Sequence, residues 1–210
     1  MITEEKINSN FVLWTERLKK YNCFSEQMIT DIGEKLKNAS FALNKNSGSA
    51  YQGSMIDVVL NHLCKIAYNI NEKAFGLNDR QKYNHPYIKV NSDMLMRVLL
   101  LQHISKSEMF IPQESQWKLK NGYLYDFNND IGSALKCGER SIFLCLKYGI
   151  KLSEEEFEAM RIIDKDDTEK NNSFANPLCT IVKVANQLTA IETHKIFEYN
   201  EKKQNNFIEQ

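Results

Sequence analysis

Two long apolar segments constrain the fold of this chain more than any other feature. In residues 53–70 and 93–106, leucine, isoleucine, valine and methionine recur at helical spacing on more than one face. A helix that is apolar on several faces has to be covered by neighbouring elements. The two segments therefore predict an all-α fold, a helical bundle with these two helices at its centre.

Further helical patterns surround this centre. Ser25 and Ser153 are each suited to cap a helix, and Glu156 completes a capping box with Ser153. Asn176-Pro177 provides a cap followed by proline at the first helical position. Including these, the predicted outer helices cover about residues 4–20, 25–36, 132–148, 153–163 and 176–199.

One segment departs from the helical pattern. Apolar residues alternate through residues 116–120 and 123–127, on both sides of Asn121-Gly122. Asn-Gly between two alternating segments is a strong signal for a two-residue type I′ turn. The sequence therefore predicts one short β-hairpin near Asn121-Gly122.

The chain of 210 residues is long enough to bury one sizeable core. Residues 1–37 are predicted to form N-terminal helices that pack on this core, and residues 38–199 to form the main helical domain. Residues 200–210 are predicted to be a polar tail, which is expected to fray because few apolar side chains anchor it.

The composition argues against several classes of function. Lysine plus arginine equals aspartate plus glutamate at 27 each, so no overall positive field attracts nucleic acid or anionic lipid. No apolar run approaches the roughly 18 residues of a membrane span, and the N-terminal residues lack a signal-peptide pattern. Five scattered cysteines without a Cys-x-x-Cys pair predict reduced thiols. We therefore expect a cytoplasmic protein without a DNA or membrane partner.

The residues of greatest chemical interest lie at the end of the second apolar helix. Residues 99–106 consist of a leucine run, Gln102-His103, an isoleucine, a serine and Lys106. This stretch resembles the metal-binding helix of the HD superfamily of metal-dependent phosphohydrolases, in which a His-Asp pair stands where this chain has Gln102-His103. A carboxamide is a weak neutral ligand, whereas an imidazole and a carboxylate together hold a divalent cation.

Further segments resemble motifs of the same superfamily in the same order. Residues 52–57 resemble Gly-Gly-Leu-Leu-Glu-His, residues 136–141 resemble Gly-His-Gly-Glu-Lys-Ser, and residues 149–156 match Gly-Ile-x-Leu-Ser/Thr-x-Glu-Glu. Residues 159–163 resemble Ala-Ile-Arg-Trp-His, and residues 177–186 resemble a helix that begins with Pro-Leu and ends in His-x-Ala-Asp. Five segments in the right order and spacing make the resemblance more specific than any one of them.

The resemblance covers about residues 38–192 and implies an HD-domain-like helical bundle, with residues 38–199 as a degenerate HD-like domain. At each metal-ligand position of these motifs, this chain carries another residue. The replacements are Asp57, Gln102-His103, Cys137, Ile163 and Asn186.

These replacements remove the chemistry of the superfamily. A divalent ion requires deprotonated carboxylates and neutral imidazoles, but Ile163 has no lone pair, and Gln102 and Asn186 offer only neutral carbonyl oxygens. The resemblance therefore implies a catalytically inactive module with no catalytic residue, no metal and no cofactor. Its remnant pocket would consist of Asp57, Gln102, His103, Cys137 and Asn186.

Three basic residues could give this pocket a preference for anions. Lys106, Arg161 and Lys165 are candidates for an anion-binding lining, because the superfamily's lysine after His-Asp tends to approach phosphate. The expected partner is accordingly a small anion or a protein, and a homo-oligomer remains an option.

Two other functions stay open at this point. Asp57, His103 and Cys137 are each capable of holding a metal, so they could form a rebuilt divalent-metal site in an active phosphohydrolase of nucleotides or phosphate esters. Alternatively, the old pocket is filled, and the chain is a structural accessory protein with no ligand.

Overall fold

The structure is a computed structural model that describes residues 2–74, 90–132, 134–164 and 176–208. Two short strands, β1 (Phe110–Pro112) and β2 (Tyr125–Phe127), form an antiparallel sheet, and the rest of the regular structure is helical. The α-helices are α1 (Glu4–Lys20), α2 (Glu26–Asn38), α3 (Ser54–Val58), α4 (Cys64–Asn69), α5 (Ser92–Leu101), α6 (Lys106–Met109), α7 (Gln116–Lys120), α8 (Cys137–Lys147), α9 (Glu154–Ile162) and α10 (Pro177–Ile208).

The two apolar segments form the centre of the fold, as predicted. One π-helical turn (Val59–Leu63) joins α3 to α4, and a second (Ile70–Ala74) follows α4 without a break. This long helix and α5 carry many of the largest fully buried side chains, among them Met55, Ile56, Leu60, Leu63, Leu95, Leu99, Leu100 and Leu101. Side chains of α1, α2, α8, α9 and α10 also belong to this core cluster.

Local capping signals place the helix starts. The side chain of Ser25 accepts a hydrogen bond from the backbone N–H of Met28 at the start of α2. Ser153 and Glu156 form the predicted capping box at the start of α9. The last helix begins at Pro177 and continues through part of the predicted tail to Ile208. None of the helices in the described ranges is long and apolar enough to cross a membrane.

The predicted hairpin at Asn121-Gly122 is wrong. Residues 116–120 are the helix α7, because the Ser115 side chain caps its N-terminus and its backbone closes helical bonds that end at Asn121. The strand β2 pairs instead with β1, where Phe110 lies opposite Phe127 with the ring centroids 5.5 Å apart. The β2 side chain Asp126 accepts hydrogen bonds from both Lys118 and Gln113, so the α7 segment packs against the strand that it was expected to pair with.

The helix predicted over residues 93–106 also ends early, at Leu101. The hydroxyl of Ser141, on α8, donates to the carbonyl of Gln102 and accepts from the backbone N–H of Ser105, at 2.9 and 3.2 Å. These bonds replace helical ones, and the backbone N–H of Lys106 instead donates to the carbonyl of His103. Residues 102–105 therefore form a turn, which separates α5 from α6 and brings Ser105 against Ser141 on α8.

Arg97 joins three distant parts of the chain. Its Nη1 donates to the carbonyls of Tyr21 and Asn22 after α1, at 3.0 and 2.6 Å. Its Nη2 donates to the carbonyl of Lys151 at 2.6 Å, and its Nε donates to the buried carboxylate of Glu156 at 2.5 Å. The end of α1, the middle of α5 and the start of α9 are thus held together by one guanidinium.

Candidate functional site

Four of the five predicted pocket residues form one hydrogen-bond network. The Nε2 atom of His103 lies 2.8 Å from Oδ1 of Asn186, and Nδ2 of Asn186 donates to Oε1 of Gln102 at 3.1 Å. On the other side of the imidazole, Sγ of Cys137 lies 3.9 Å from Nδ1 of His103. The turn after α5, the start of α8 and the middle of α10 meet at this neutral network.

The network determines which nitrogen of His103 carries the proton. Nδ2 of Asn186 donates to two oxygens, on Gln102 and on the carbonyl of Val182, so the atom that faces His103 is the carbonyl oxygen. A carbonyl oxygen can only accept, and Nε2 of His103 must therefore be protonated. Nδ1 is then an acceptor that faces the sulfur of Cys137, which also lies 3.2 Å from the hydroxyl of Ser105.

Burial keeps both of these groups neutral. Burial and the charge of Lys106 hold the pKa of His103 well below its usual range. Burial raises the pKa of the Cys137 thiol, against the opposing effects of Lys106 and Ser105. Metal coordination requires a thiolate and an unprotonated ring nitrogen that points at the ion. In the observed arrangement, the Nε2 proton and the thiol proton are both engaged with protein atoms.

Asp57 makes its hydrogen bonds in a different cluster. Its carboxylate accepts from Nδ2 of Asn10 and Nδ2 of Asn61, both at 2.8 Å, and from the hydroxyl of Tyr51 at 2.6 Å. Burial and the bond to Asp57 raise the pKa of Tyr51, so the phenol stays a donor. Asp57 thereby ties α1 and the residues before α3 to the central helix. In the described part of the chain, no three His, Cys, Asp or Glu side chains are grouped so that they could hold a metal ion.

Lys106 is buried at the edge of the network. Only 9% of the residue is exposed, and its ammonium group donates to the carbonyl of Phe41 at 2.6 Å and lies 3.5 Å from the centre of the Phe41 ring. Burial lowers its pKa. The hydroxyl of Ser54 holds Phe41 in place by accepting its backbone N–H at 2.8 Å. Lys106, one of the predicted anion-binding residues, lines a pocket next to the network.

That pocket has a volume of about 740 Å³ and lies between α6, the small sheet and the start of α8. We call it the anion pocket and define it by its charged lining residues, Lys106, Lys136, Arg140 and Asp164. Its remaining wall is largely apolar and includes Met109, Phe110, Phe127, Ile131 and Leu135. The pocket thus has three cationic side chains against one carboxylate, and an apolar side next to them.

Arg140 was not among the predicted site residues. It is 8% exposed, its Nη2 donates to the carbonyl of Gly132 at 2.5 Å, and its Nη1 lies 3.8 Å from the Glu108 carboxylate. Its Nε has no hydrogen-bond partner among the residues that the structure describes. The signal was present in the sequence, because Arg140 stands at the lysine of the motif that residues 136–141 resemble.

The other two predicted anion-binding residues are placed differently. Arg161 is half-exposed on α9, with Nε 3.6 Å from the carboxylate of Glu139, and it is not part of the anion-pocket lining. Lys165 lies outside the described residues.

Asp164 is the carboxylate of the anion pocket. Its Oδ2 accepts the backbone N–H of Gly138, in the first turn of α8, at 2.5 Å. Burial raises its pKa even though Gly138, Lys106 and Lys136 favour the charged form. A side chain on Gly138 would not fit, since a Cβ there would lie 2.1 Å from the carbonyl oxygen of Met160. The glycine therefore lets the start of α8 and the end of α9 pack together and brings Asp164 to the N-terminus of α8.

Comparisons with protein families, with curated proteins and with solved structures give no match to this chain. The class of protein that the fold and site define is a mostly helical protein with a neutral buried network beside a cationic pocket.

Proposed function

We propose that this chain is a catalytically inactive, HD-like helical module that binds a small anionic ligand in the anion pocket. The observation that carries the proposal is the burial of Lys106 and Arg140 on one pocket wall, each less than a tenth exposed. Burying a cation is costly unless an opposite charge accompanies it. Asp164 on this wall and Glu108, 3.8 Å from Arg140, supply two negative charges among the described residues, and an anionic ligand would balance the third cation of the pocket, Lys136.

The HD-like part of the proposal rests on the order of the motifs and on which of them adjoin. The sequence resemblance predicts that residues 102–106, 136–141 and the region of Asn186 surround one site. The bonds of His103 to Asn186 and Cys137 support that prediction. The inactivity rests on the same residues, because two amides, a protonated ring nitrogen and a thiol do not activate a water for attack on phosphorus.

Titration calorimetry with inorganic phosphate tests the binding. We expect the wild type to bind, and Arg140→Gln to weaken binding about tenfold, since a charge-assisted hydrogen bond contributes roughly 1.5–3 kcal/mol. Lys136→Gln should act in the same direction, and because Lys136 is exposed this change leaves the core intact. Lys147→Gln, at the exposed end of α8, removes the same charge away from the pocket and should bind like the wild type.

A phosphatase assay on nucleotides and phosphate esters, with and without added manganese or zinc, tests the inactivity. We expect no phosphate release above a blank. Metal-dependent turnover that Asp57→Ala or Cys137→Ala abolishes would instead establish a rebuilt active site. Absence of binding to phosphate and to other small anions would favour a structural accessory protein.

A further inference from the structure

The carboxylate of Asp164 lies at the N-terminus of α8, where a bound anion could also lie. The first turn of a helix favours negative charge because its N–H groups have no intrahelical acceptors. In α8, which spans eleven residues, the N–H of Gly138 donates to the carboxylate of Asp164 at 2.5 Å. Asp164 thus stands where an oxyanion ligand would receive the same N–H.

The surroundings of this position suit an anion with more charge than one carboxylate. Lys106 and Lys136 both interact favourably with the Asp164 carboxylate, and the ammonium of Lys136 donates to the Asp164 backbone carbonyl at 3.3 Å. Arg140, two residues after Gly138, lines the same pocket; its Nη atoms contact the Gly132 carbonyl and Glu108, and its buried Nε has no partner in the described residues. Among the described residues, the nearby negative groups are those of Glu139, on α8, and Glu108, beside Arg140.

We propose that Asp164 is a built-in competitor for the anion pocket, and that a dianionic oxyanion such as a phosphate group displaces its carboxylate from the N-terminus of α8 when it binds. This inference rests on the proposed function. It adds a mechanism that excludes weakly binding anions, because the Asp164 carboxylate occupies the N-terminus of α8 until a stronger anion displaces it. A dianion offers several acceptor oxygens to the Gly138 N–H and to the cations, whereas the Asp164 carboxylate is tethered to the end of α9. Ligands with one negative charge gain too little from the exchange.

The test compares variants of Asp164 in titrations with inorganic phosphate and with sulfate. Asp164→Asn keeps an oxygen for the Gly138 N–H but removes the competing charge, so both anions should bind about tenfold more tightly than to the wild type. Asp164→Glu keeps the charge and should bind within about twofold of the wild type. Glu155→Gln, on the exposed first turn of α9, changes the net charge by the same amount and serves as the charge-matched control.

A second readout follows the displacement itself. In the wild type, phosphate titration should shift the Gly138 amide resonance in parallel with binding, because the N–H exchanges one acceptor for another. In Asp164→Asn, the amide should respond at correspondingly lower phosphate concentrations.

The outcomes separate this inference from the proposed function. Wild-type phosphate binding, combined with an Asp164→Asn variant that binds equally or more weakly, would overturn the competitor while leaving the anion pocket in place. An unresponsive Gly138 amide in a wild type that binds phosphate would overturn it too. If neither the wild type nor Asp164→Asn binds phosphate or sulfate, the proposed function and the inference fail together.

Discussion

The imidazole of His103 and the carboxamide of Asn186 form a 2.8 Å hydrogen bond that joins the turn after α5 to the middle of α10. Because Asn186 uses both of its amide hydrogens elsewhere, the bond fixes His103 as the tautomer protonated on Nε2. Two residues that the sequence resemblance assigns to metal-ligand positions therefore form a hydrogen bond with each other. This hydrogen bond affects how the protein responds to acid and whether it can bind a metal ion.

His103 should make the protein sensitive to acid. Its pKa is lower in the folded than in the unfolded state. Below about pH 6.5, the His103 imidazole is therefore protonated in the unfolded protein and stays neutral in the folded protein. The free energy of unfolding should therefore be highest above this pH. At lower pH it should decrease, by up to about 1.4 kcal/mol per pH unit. Urea unfolding of the wild type and of His103→Gln between pH 4 and 7 measures the difference. His194→Gln, at a half-exposed position, is the control, and parallel curves for wild type and His103→Gln would contradict the assignment.

The purified protein should carry no stoichiometric zinc, manganese, iron or nickel at the network. The Nε2 proton of His103 faces Asn186, and the raised pKa of Cys137 keeps its thiol protonated, so binding a metal would require two deprotonated ligands that the site disfavours. Elemental analysis after purification without chelators checks this. A stoichiometric metal that is lost in Cys137→Ala would promote the rebuilt-site alternative.

Asp57→Ala should destabilise the fold without affecting anion binding. The substitution leaves Asn10, Tyr51 and Asn61 without their shared acceptor, and each buried unsatisfied donor costs about 1–3 kcal/mol. We expect a total loss of about 3 kcal/mol in chemical denaturation, whereas Asp31→Ala, on the exposed face of α2, should change stability by less than about 0.5 kcal/mol. A large loss of phosphate affinity in a folded Asp57→Ala protein would show that the two clusters act together.

Gly138→Ala should destabilise the protein by about 2 kcal/mol or more, because the added methyl group would meet the Met160 carbonyl oxygen at 2.1 Å and force α8 away from α9. Gly132→Ala is the matched control, since its nearest neighbour would be 4.0 Å away at the end of the Arg140 side chain. Thermal unfolding of both variants measures the difference. Equal melting temperatures would contradict the close approach of the two helices.

Phosphate esters with an aromatic group should bind more tightly than inorganic phosphate. The half-exposed ring of Phe127 stands edge-on to Phe110 on the apolar wall of the anion pocket, and the ammonium of Lys106 lies 5.7 Å from the centre of the Phe110 ring. Phenyl phosphate should gain about threefold to tenfold over phosphate, the equivalent of one aromatic contact. Phe127→Ala should remove that gain, and Trp117→Ala, which truncates an exposed aromatic side chain on α7, should preserve it. Equal affinities for the two ligands in the wild type would place the ligand elsewhere.

The sequence predicted those elements that local interactions determine. Ser25 and Ser153 cap helices within the next three residues, so no distant part of the chain is needed to recognise them. The break after Leu101 was not predictable in this way, because the hydroxyl that causes it belongs to Ser141 on another helix. The prediction of a hairpin at Asn121-Gly122 was wrong for the same reason, because the strand that pairs with β2 is β1, which lies earlier in the chain.

The same distinction between local and distant interactions applies to the candidate site. The sequence indicated residues that could hold a ligand, and Gln102, His103, Cys137 and Asn186 do lie together. It could not indicate which donors would reach Asp57, because Asn10 and Tyr51 come from other elements. The sequence shows Arg140 only as one basic residue of its motif, and the fold is needed to show that this side chain is buried in the lining of the same pocket as Lys106.

Arg97 has a consequence for how the chain comes apart. Its guanidinium bonds to Tyr21 and Asn22 near one end, and to Lys151 and Glu156 beyond the middle of the chain. If one of these segments detaches, the Arg97 guanidinium loses some of its hydrogen bonds while it remains charged. Partial unfolding would therefore gain little conformational entropy and lose several charged hydrogen bonds. Unfolding should accordingly be all-or-none across α1, α5 and α9. In a Trp117→Phe variant, the fluorescence of Trp14 and the loss of helical circular dichroism should have the same midpoint.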